Sequence, residues 1–209
     1  MSATNVNKSK NKDKVPKKER MRRLTNITLA HVNVRGIKSK IKDIISLAED
    51  HKFDIMVFTE TKLSEKENKI IPGYKNHRLN RQTKAGGVII YYKEELQVKV
   101  IKKNKECETL WVKLECNGNP IVIGGVYSPC ENNVSKRVIN DFVRELEKDY
   151  VEIKENVTDD IIIVGDLNAH IGNDDEGVKG NNEHVGINGQ EYRRFIKERQ
   201  INKKKPSKY

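Results

Sequence analysis

The sequence predicts an α/β domain built on mixed β-structure, and three patterns carry that expectation. A strand, a helix and a second strand open the chain between Ile27 and Thr59. Four strand-like runs then follow one another from Gly86 to Tyr127 with no helix between them. A second helical pattern, Ser135–Val151, leads directly into an uninterrupted β-branched run, Ile161–Val164. A β-α-β unit places its strands parallel through a right-handed crossover, whereas strands joined by tight turns pair antiparallel. A chain carrying both signals calls for mixed pairing with helices packed on the sheet.

Residues 1–23 show no hydrophobic periodicity and read as a disordered basic tail, ahead of a domain at 24–200 and a basic end at 201–209. Ile27–Val34 is apolar at nearly every residue and breaks at Arg35-Gly36, so it reads as the first strand. Ile41, Ile44, Ile45 and Ala48 recur at helical spacing and predict a helix over about 38–50. Phe53–Thr59 is the second strand and ends on Glu60. The stretch containing Pro72-Gly73-Tyr74 reads as a loop. Gly86–Tyr92, about 97–101, Thr109–Cys116 and Pro120–Tyr127 are the four consecutive strands, with Asn117-Gly118 as a hairpin turn between the last two. Ile139, Phe142, Val143, Leu146 and Tyr150 mark the helix over 135–151. Ile161–Val164 is short, β-branched and stopped at once by Gly165, the pattern of a strand buried on both faces. After a polar, glycine-rich loop at 172–188, a last short helix carries Tyr192, Phe195 and Ile196.

Charge is distributed unevenly. Met1–Arg23 and Arg193–Tyr209 each carry a formal +7, against +11 for the whole chain, which leaves Leu24–Tyr192 at −3. Basicity therefore belongs to the ends and not to the folded body. Basic tails suit nucleic acid, and Lys17–Arg23 has the composition of a nuclear address; a solvated tail without a partner is as common. Cys107, Cys116 and Cys130 are odd in number and lack CxxC spacing, which argues against a disulfide framework or a structural zinc site and fits an intracellular compartment. No apolar run approaches the roughly 20 residues that cross a bilayer, and no membrane partner is expected.

Chemistry gathers at the carboxyl ends of the strands, where α/β sheets place ligands. Asn33, Glu60 and Tyr127 each close an apolar strand, and Asp166 and Asn168 lie together beyond Gly165. Alternation puts Asp166 and Asn168 on one side of the chain and Leu167 on the other. Read singly, these are a turn residue, a surface carboxylate, a half-buried aromatic and a capped turn. Together they offer hard oxygen ligands and no His/Cys cluster, which favours Mg2+, with Mn2+ as the alternative, over zinc. A hard cation beside a free carboxylate can orient water and screen the charge of a phosphodiester.

The motifs VNVRG (Asn33), FTETK (Glu60), GVYSP (Tyr127) and GDLNAHIG (Asp166, Asn168), in this order and at these intervals, resemble the endonuclease/exonuclease/phosphatase family over Ile27 to about Gln200. Within it, the wording is most similar to endonuclease domains of LINE-type retrotransposons and to the craniofacial development protein 2-like proteins. The resemblance implies a DNase I-like sandwich of two mixed β-sheets flanked by helices, with a site at one edge. It implies magnesium at Glu60 with Asn33 close by, and Asp166 orienting or deprotonating the attacking water. Asn168 would hydrogen-bond the phosphate and Tyr127 would help position it. His170 reads as a rim or structural residue. The family's C-terminal Ser/Asp-Asp-His type motif, and the Arg-x-Asp-Tyr-like strand before it, have no counterpart before Tyr209, and Cys130 stands where relatives often carry Asn. The expectation is a fold incomplete at its C-terminus: a retrotransposon-derived, magnesium-dependent DNA endonuclease-like domain, weak or inactive as this chain. The alternatives are RNA as substrate, a phosphatase of the same family, or a non-catalytic domain that binds nucleic acid through its basic tails.

Overall fold

In a computed structural model, residues 26–80, 86–130, 132–169 and 187–198 are described. The readings made for 1–23, His170, most of the 172–188 loop and 201–209 lie outside the described residues. The elements run β1 (Leu29–Asn33), a 3-10 turn (Lys38–Lys40), α1 (Ile41–His51), β2 (Ile55–Thr59), β3 (Tyr74–Leu79), β4 (Val88–Lys93), β5 (Lys99–Asn104), β6 (Thr109–Cys116), β7 (Asn119–Tyr127), α2 (Lys136–Asn156), β8 (Ile161–Asp166) and α3 (Ile187–Glu198). They form two four-stranded sheets, β1-β2-β4-β3 and β5-β6-β7-β8. Each sheet is mixed: β1–β2 and β7–β8 are parallel, and the other pairs are antiparallel.

Side-chain alternation builds the layers. Ile55, Val57, Val88 and Ile90 of the first sheet meet Leu110, Val112 and Ile123 of the second, forming the core between the sheets. The opposite face of the first sheet, through Met56, Phe58, Ile89 and Tyr91, packs on Ile44 and Ala48 of α1. The outer face of the second sheet takes Trp111, Val122 and Val126 against Phe142, Val143, Leu146 of α2 and Tyr192, Phe195 of α3. Trp111 is fully buried, and a Cβ at Gly124 would lie 2.4 Å from its ring, so β7 keeps glycine there.

At the end of the first sheet that holds the amino ends of β1 and β2, Asp54 ties three elements together. It accepts from the Thr28 N–H at 2.9 Å and the Thr28 hydroxyl at 2.7 Å, and pairs with Lys93 Nζ at 2.8 Å. Asp149, 1 % exposed on α2, accepts from Thr109 Oγ1 at 2.9 Å and Trp111 Nε1 at 3.1 Å, with Lys102 Nζ 2.8 Å away. Asp54 thus joins β1, β2 and β4 at the end of the first sheet opposite the polar cluster, whereas Asp149 joins α2 to β5 and β6 beside Thr109, whose strand partner Val126 precedes Tyr127.

Four expectations are corrected. The stretch after Pro72-Gly73 is not wholly loop: Tyr74–Leu79 forms β3, paired to β4 along its full length as an edge strand. Backbone pairing sustains it although its side chains lack alternation. The four consecutive strands do not form one antiparallel set: β4 pairs with β2 and β3, and the chain then crosses to the other sheet, burying Leu96 and Val98 on the way. The β8 run is not buried on both faces; it is the edge of its sheet, and Ile162 is 42 % exposed. The second helix runs five residues beyond Val151, to Asn156, because Ile153 continues its buried stripe.

Candidate active site

Registers decide which side chains meet. In the parallel pair β1–β2, Asn33 stands beside Thr59; in β7–β8, Tyr127 stands beside Asp166. The carboxyl ends of these four strands reach the same end of the sandwich, and β1 and β8 are the facing edges of the two sheets.

Asn33 is the hinge between the halves. Its Nδ2 donates to Glu60 Oε1 at 2.8 Å and to Asp166 Oδ2 at 2.5 Å. Its Oδ1 accepts from the Arg35 N–H at 3.1 Å, which orients the amide so that its NH2 faces the carboxylates. Glu60 reaches this point because the chain turns directly after the buried Thr59: Glu60 adopts φ +52, a left-handed conformation uncommon for a non-glycine residue. Its carbonyl accepts from Gly36 N at 2.7 Å, tying the turn to the loop after β1.

On the other sheet, β7 and β8 approach so closely at Gly165 that a Cβ there would lie 1.8 Å from the Val126 carbonyl oxygen. Asp166 Oδ1 then accepts from the Asn168 N–H at 3.0 Å, an Asx-type turn that places Asn168 at φ +45. The Asn168 Nδ2 donates to the Ser128 carbonyl at 2.7 Å, and Ser128 N donates to the Asp166 carbonyl at 2.9 Å. Leu167 and Ala169 pack into the core under α2 and α3, so the alternation read from the sequence holds.

The Tyr127 hydroxyl closes the group, interacting with Glu60 and Asn168 and with the charge of Asp166. Burial first, then the charge of Glu60 and its hydrogen bond, push the phenol up to about 12, so it remains a donor at neutral pH. His31, one pleat inward from Asn33, places Nε2 3.1 Å from Thr59 Oγ1. Burial lowers its pKa while the negative charge of Asp166 opposes this, so it is held mainly neutral. Lys62 Nζ stands 3.8 Å from Glu60 Oε2, and Arg35 is exposed on the rim.

Two carboxylates converge here with a neutral amide between them and one ammonium at the edge. Among the described residues no group of three or more His, Cys, Asp or Glu side chains is gathered to hold a metal ion, so any ion here would rest on the two carboxylates. The donor set is hard oxygen without thiolate. Magnesium is commonly held by one or two carboxylates with water completing its shell, so the residues fit such an ion.

Asn33, Glu60, Tyr127, Asp166 and Asn168 are thus all brought together, and His31 lies beneath them. Sequence reasoning did not find Ser128 or Glu108. Ser128 contributes through its backbone, which carries no residue-type signal, and Glu108 sits in a charged run that looks like a surface turn.

The sequence profile of the Endonuclease/Exonuclease/phosphatase family matches residues 30–183, a span containing the whole cluster. The chain belongs to this family. No curated protein matches the sequence. Among solved structures, an AP endonuclease from Archaeoglobus fulgidus is 18% identical, with a TM-score of 0.57 over 82% of this chain and 70% of that one. The AP endonuclease LMAP from Leishmania major is 15% identical, with a TM-score of 0.62 over 82% of this chain and 66% of its own. The 3′ phosphatase NExo from Neisseria, bound to a product DNA hairpin, is 15% identical, with a TM-score of 0.59 over 82% of this chain and 71% of that one. This endonuclease/exonuclease/phosphatase chain therefore has the DNase I-like fold, and it spans about two thirds of the length of those structures.

Proposed function

We propose that this domain is a divalent-metal-dependent phosphodiester hydrolase whose substrate is DNA. The observation that carries the reading is the Asn33 amide shared between Glu60 and Asp166, which brings two carboxylates from different sheets to one point. Glu60 would hold magnesium, with manganese as the substitute and with Asn33 beside it, although in this structure Asn33 turns its NH2 to the carboxylates and its oxygen to the Arg35 N–H; the ion would supply a positive field for a phosphate oxygen. Asp166 would orient or deprotonate a water. Asn168, steered by Ser128, and Tyr127, kept protonated, are hydrogen-bond donors for a phosphate. Arg35 and Lys62 give the rim the charge that a phosphate backbone seeks.

DNA is favoured over RNA by the neighbours, two named as AP endonucleases and one bound to a DNA hairpin. A retrotransposon origin is supported by the wording of the GDLNAHIG and FTETK motifs. A second reading, phosphatase action, uses the same residues and is supported by the 3′ phosphatase among the neighbours. The test is a set of matched substrates with magnesium, with chelator, and with Asp166→Ala. A supercoiled plasmid reports nicking, and a 3′-phosphorylated oligonucleotide reports release of inorganic phosphate. Metal-dependent nicking lost in the variant supports the endonuclease reading, and phosphate release alone supports the second. Binding that needs no magnesium and fades steeply with salt, with neither product formed, leaves only a basic nucleic-acid-binding domain.

A further inference from the structure

Glu108 precedes β6, is only 6 % exposed, and takes φ +40. Its Oε2 accepts from the Gly87 N–H at 3.1 Å, although Gly87 belongs to the other sheet's leading turn. The fit is close: a Cβ on Gly86 would lie 2.3 Å from that same oxygen, and one on Gly87 would lie 2.7 Å from Thr61 Oγ1. The Gly86-Gly87 turn in turn holds the segment after Glu60. Thr61 N donates to the Gly87 carbonyl at 3.3 Å and Lys62 N to the Gly86 carbonyl at 3.0 Å. The Glu108 main-chain carbonyl meanwhile accepts from Tyr127 N at 3.3 Å. One residue thus touches both strand systems whose ends supply Glu60 and Tyr127.

We propose that Glu108 is a positioning residue: its carboxylate fastens the Gly86-Gly87 turn, and through it Glu60, in register with the strand that carries Tyr127. The proposal rests on the reading of Glu60 as the metal-holding carboxylate, but its geometry can be tested without metal. A buried acceptor is needed to hold the Gly87 N–H at the seam between the sheets, and Gln can supply one where Ala cannot. Glu60 is already in a strained conformation, so its side chain keeps its direction only while the next two amides are fixed.

The test is amide hydrogen exchange on the full chain. Glu108→Ala is expected to speed exchange at Thr61 and Lys62 by about tenfold to a hundredfold, while Val57 and Phe58 in β2 stay as protected as before. Glu108→Gln is expected to restore protection. Calorimetric magnesium affinity should follow the same order, wild type and Gln above Ala. Unchanged exchange at Thr61 and Lys62 in the Ala variant overturns the proposal, as does a uniform rise that includes Val57 and Phe58, the mark of general destabilisation. If the Ala chain does not fold, Glu108→Asp replaces it, since its carboxylate stops a methylene short of Gly87. Equal protection of Thr61 and Lys62 in the Asp and Gln variants overturns the proposal too. Absence of magnesium binding in wild type would sink the metal reading of Glu60 while the exchange comparison still decides the role of Glu108.

Discussion

Asn33 and Asp166 are separated by 133 positions in sequence and joined by one hydrogen bond, Nδ2 to Oδ2 at 2.5 Å. The same NH2 group donates to Glu60. Two carboxylates drawn to one neutral donor repel each other, and like charges at short range raise the free energy of a site until a cation enters. A divalent ion at this point would add opposite charge to two carboxylates that share one amide donor, with Lys62 Nζ 3.8 Å from Glu60.

That argument predicts the effect of Glu60→Gln. The amide is isosteric and preserves packing, but it removes one negative hard ligand from the field at the ion. Magnesium Kd, measured by calorimetry, should rise by at least about tenfold, roughly 1.4 kcal/mol, and more than in Asn168→Ala. An unchanged affinity would return Glu60 to the status of a turn carboxylate.

Asp54 offers a pH-dependent prediction remote from the site. Burial alone would raise its pKa, but the Lys93 hydrogen bond, the two Thr28 hydrogen bonds and the Lys93 charge outweigh it and hold the carboxyl below its ordinary value. A carboxyl more acidic in the folded than in the unfolded chain stabilises the fold above its unfolded pKa, and that contribution disappears as pH falls through the lowered folded value. Asp54→Ala should cost about 3 kcal/mol at pH 7, because it takes the carboxylate acceptor from Lys93 Nζ, the Thr28 N–H and the Thr28 hydroxyl. In urea titrations the gap between wild type and variant should be constant from about pH 7 to 5 and shrink below about pH 4. A gap that widens on acidification contradicts the assignment.

Gly165→Ala tests the close approach of β7 and β8. The added methyl would fall 1.8 Å from the Val126 carbonyl, so one strand must shift or the pair must open at the residue before Asp166. A loss of more than about 3 kcal/mol is expected, larger than an ordinary glycine-to-alanine change. Wild-type stability, read by circular dichroism melting, would show that the strands have more room than their separation indicates.

Much of this was legible beforehand. The parallel pairs follow from β-α-β order, the β6–β7 hairpin from Asn117-Gly118, and the site from polar residues closing apolar runs. Other features leave no trace in residue type. The β3 sequence YKNHRL has no alternation because an edge strand is held by backbone bonds, with only Leu79 buried. The turn at Glu94-Glu95 reads alike whether the chain folds back or crosses to the second sheet. An unbroken β-branched run looks the same at a sheet edge as at its centre, and β8 lies at the edge. Ser128 and the Gly86-Gly87 turn act through carbonyls and N–H groups that any residue carries.

The last prediction concerns rate. In the proposed mechanism Asp166, Asn168 and Tyr127 place a water and donate to a phosphate, but hydrolysis also gains from a group that neutralises charge on the phosphate as the bond breaks. Such a group is commonly worth about 10²–10⁴-fold. Among the described residues His31 is the histidine nearest the cluster, and it is committed inward: its Nε2 meets Thr59 Oγ1, and burial lowers its pKa. A neutral, inward-turned imidazole supplies little positive charge to a phosphate in the cleft. With positive charge supplied among the described residues only from the rim, by Arg35 and Lys62, plasmid nicking with magnesium should be weak. Asp166→Ala should abolish the residue of activity, whereas His31→Ala should leave it nearly unchanged while lowering stability by about 1 kcal/mol for the lost hydrogen bond. A strong decline of rate in the His31 variant, with its fold intact, would show that the ring turns outward during turnover and that the site is more complete than its resting geometry displays.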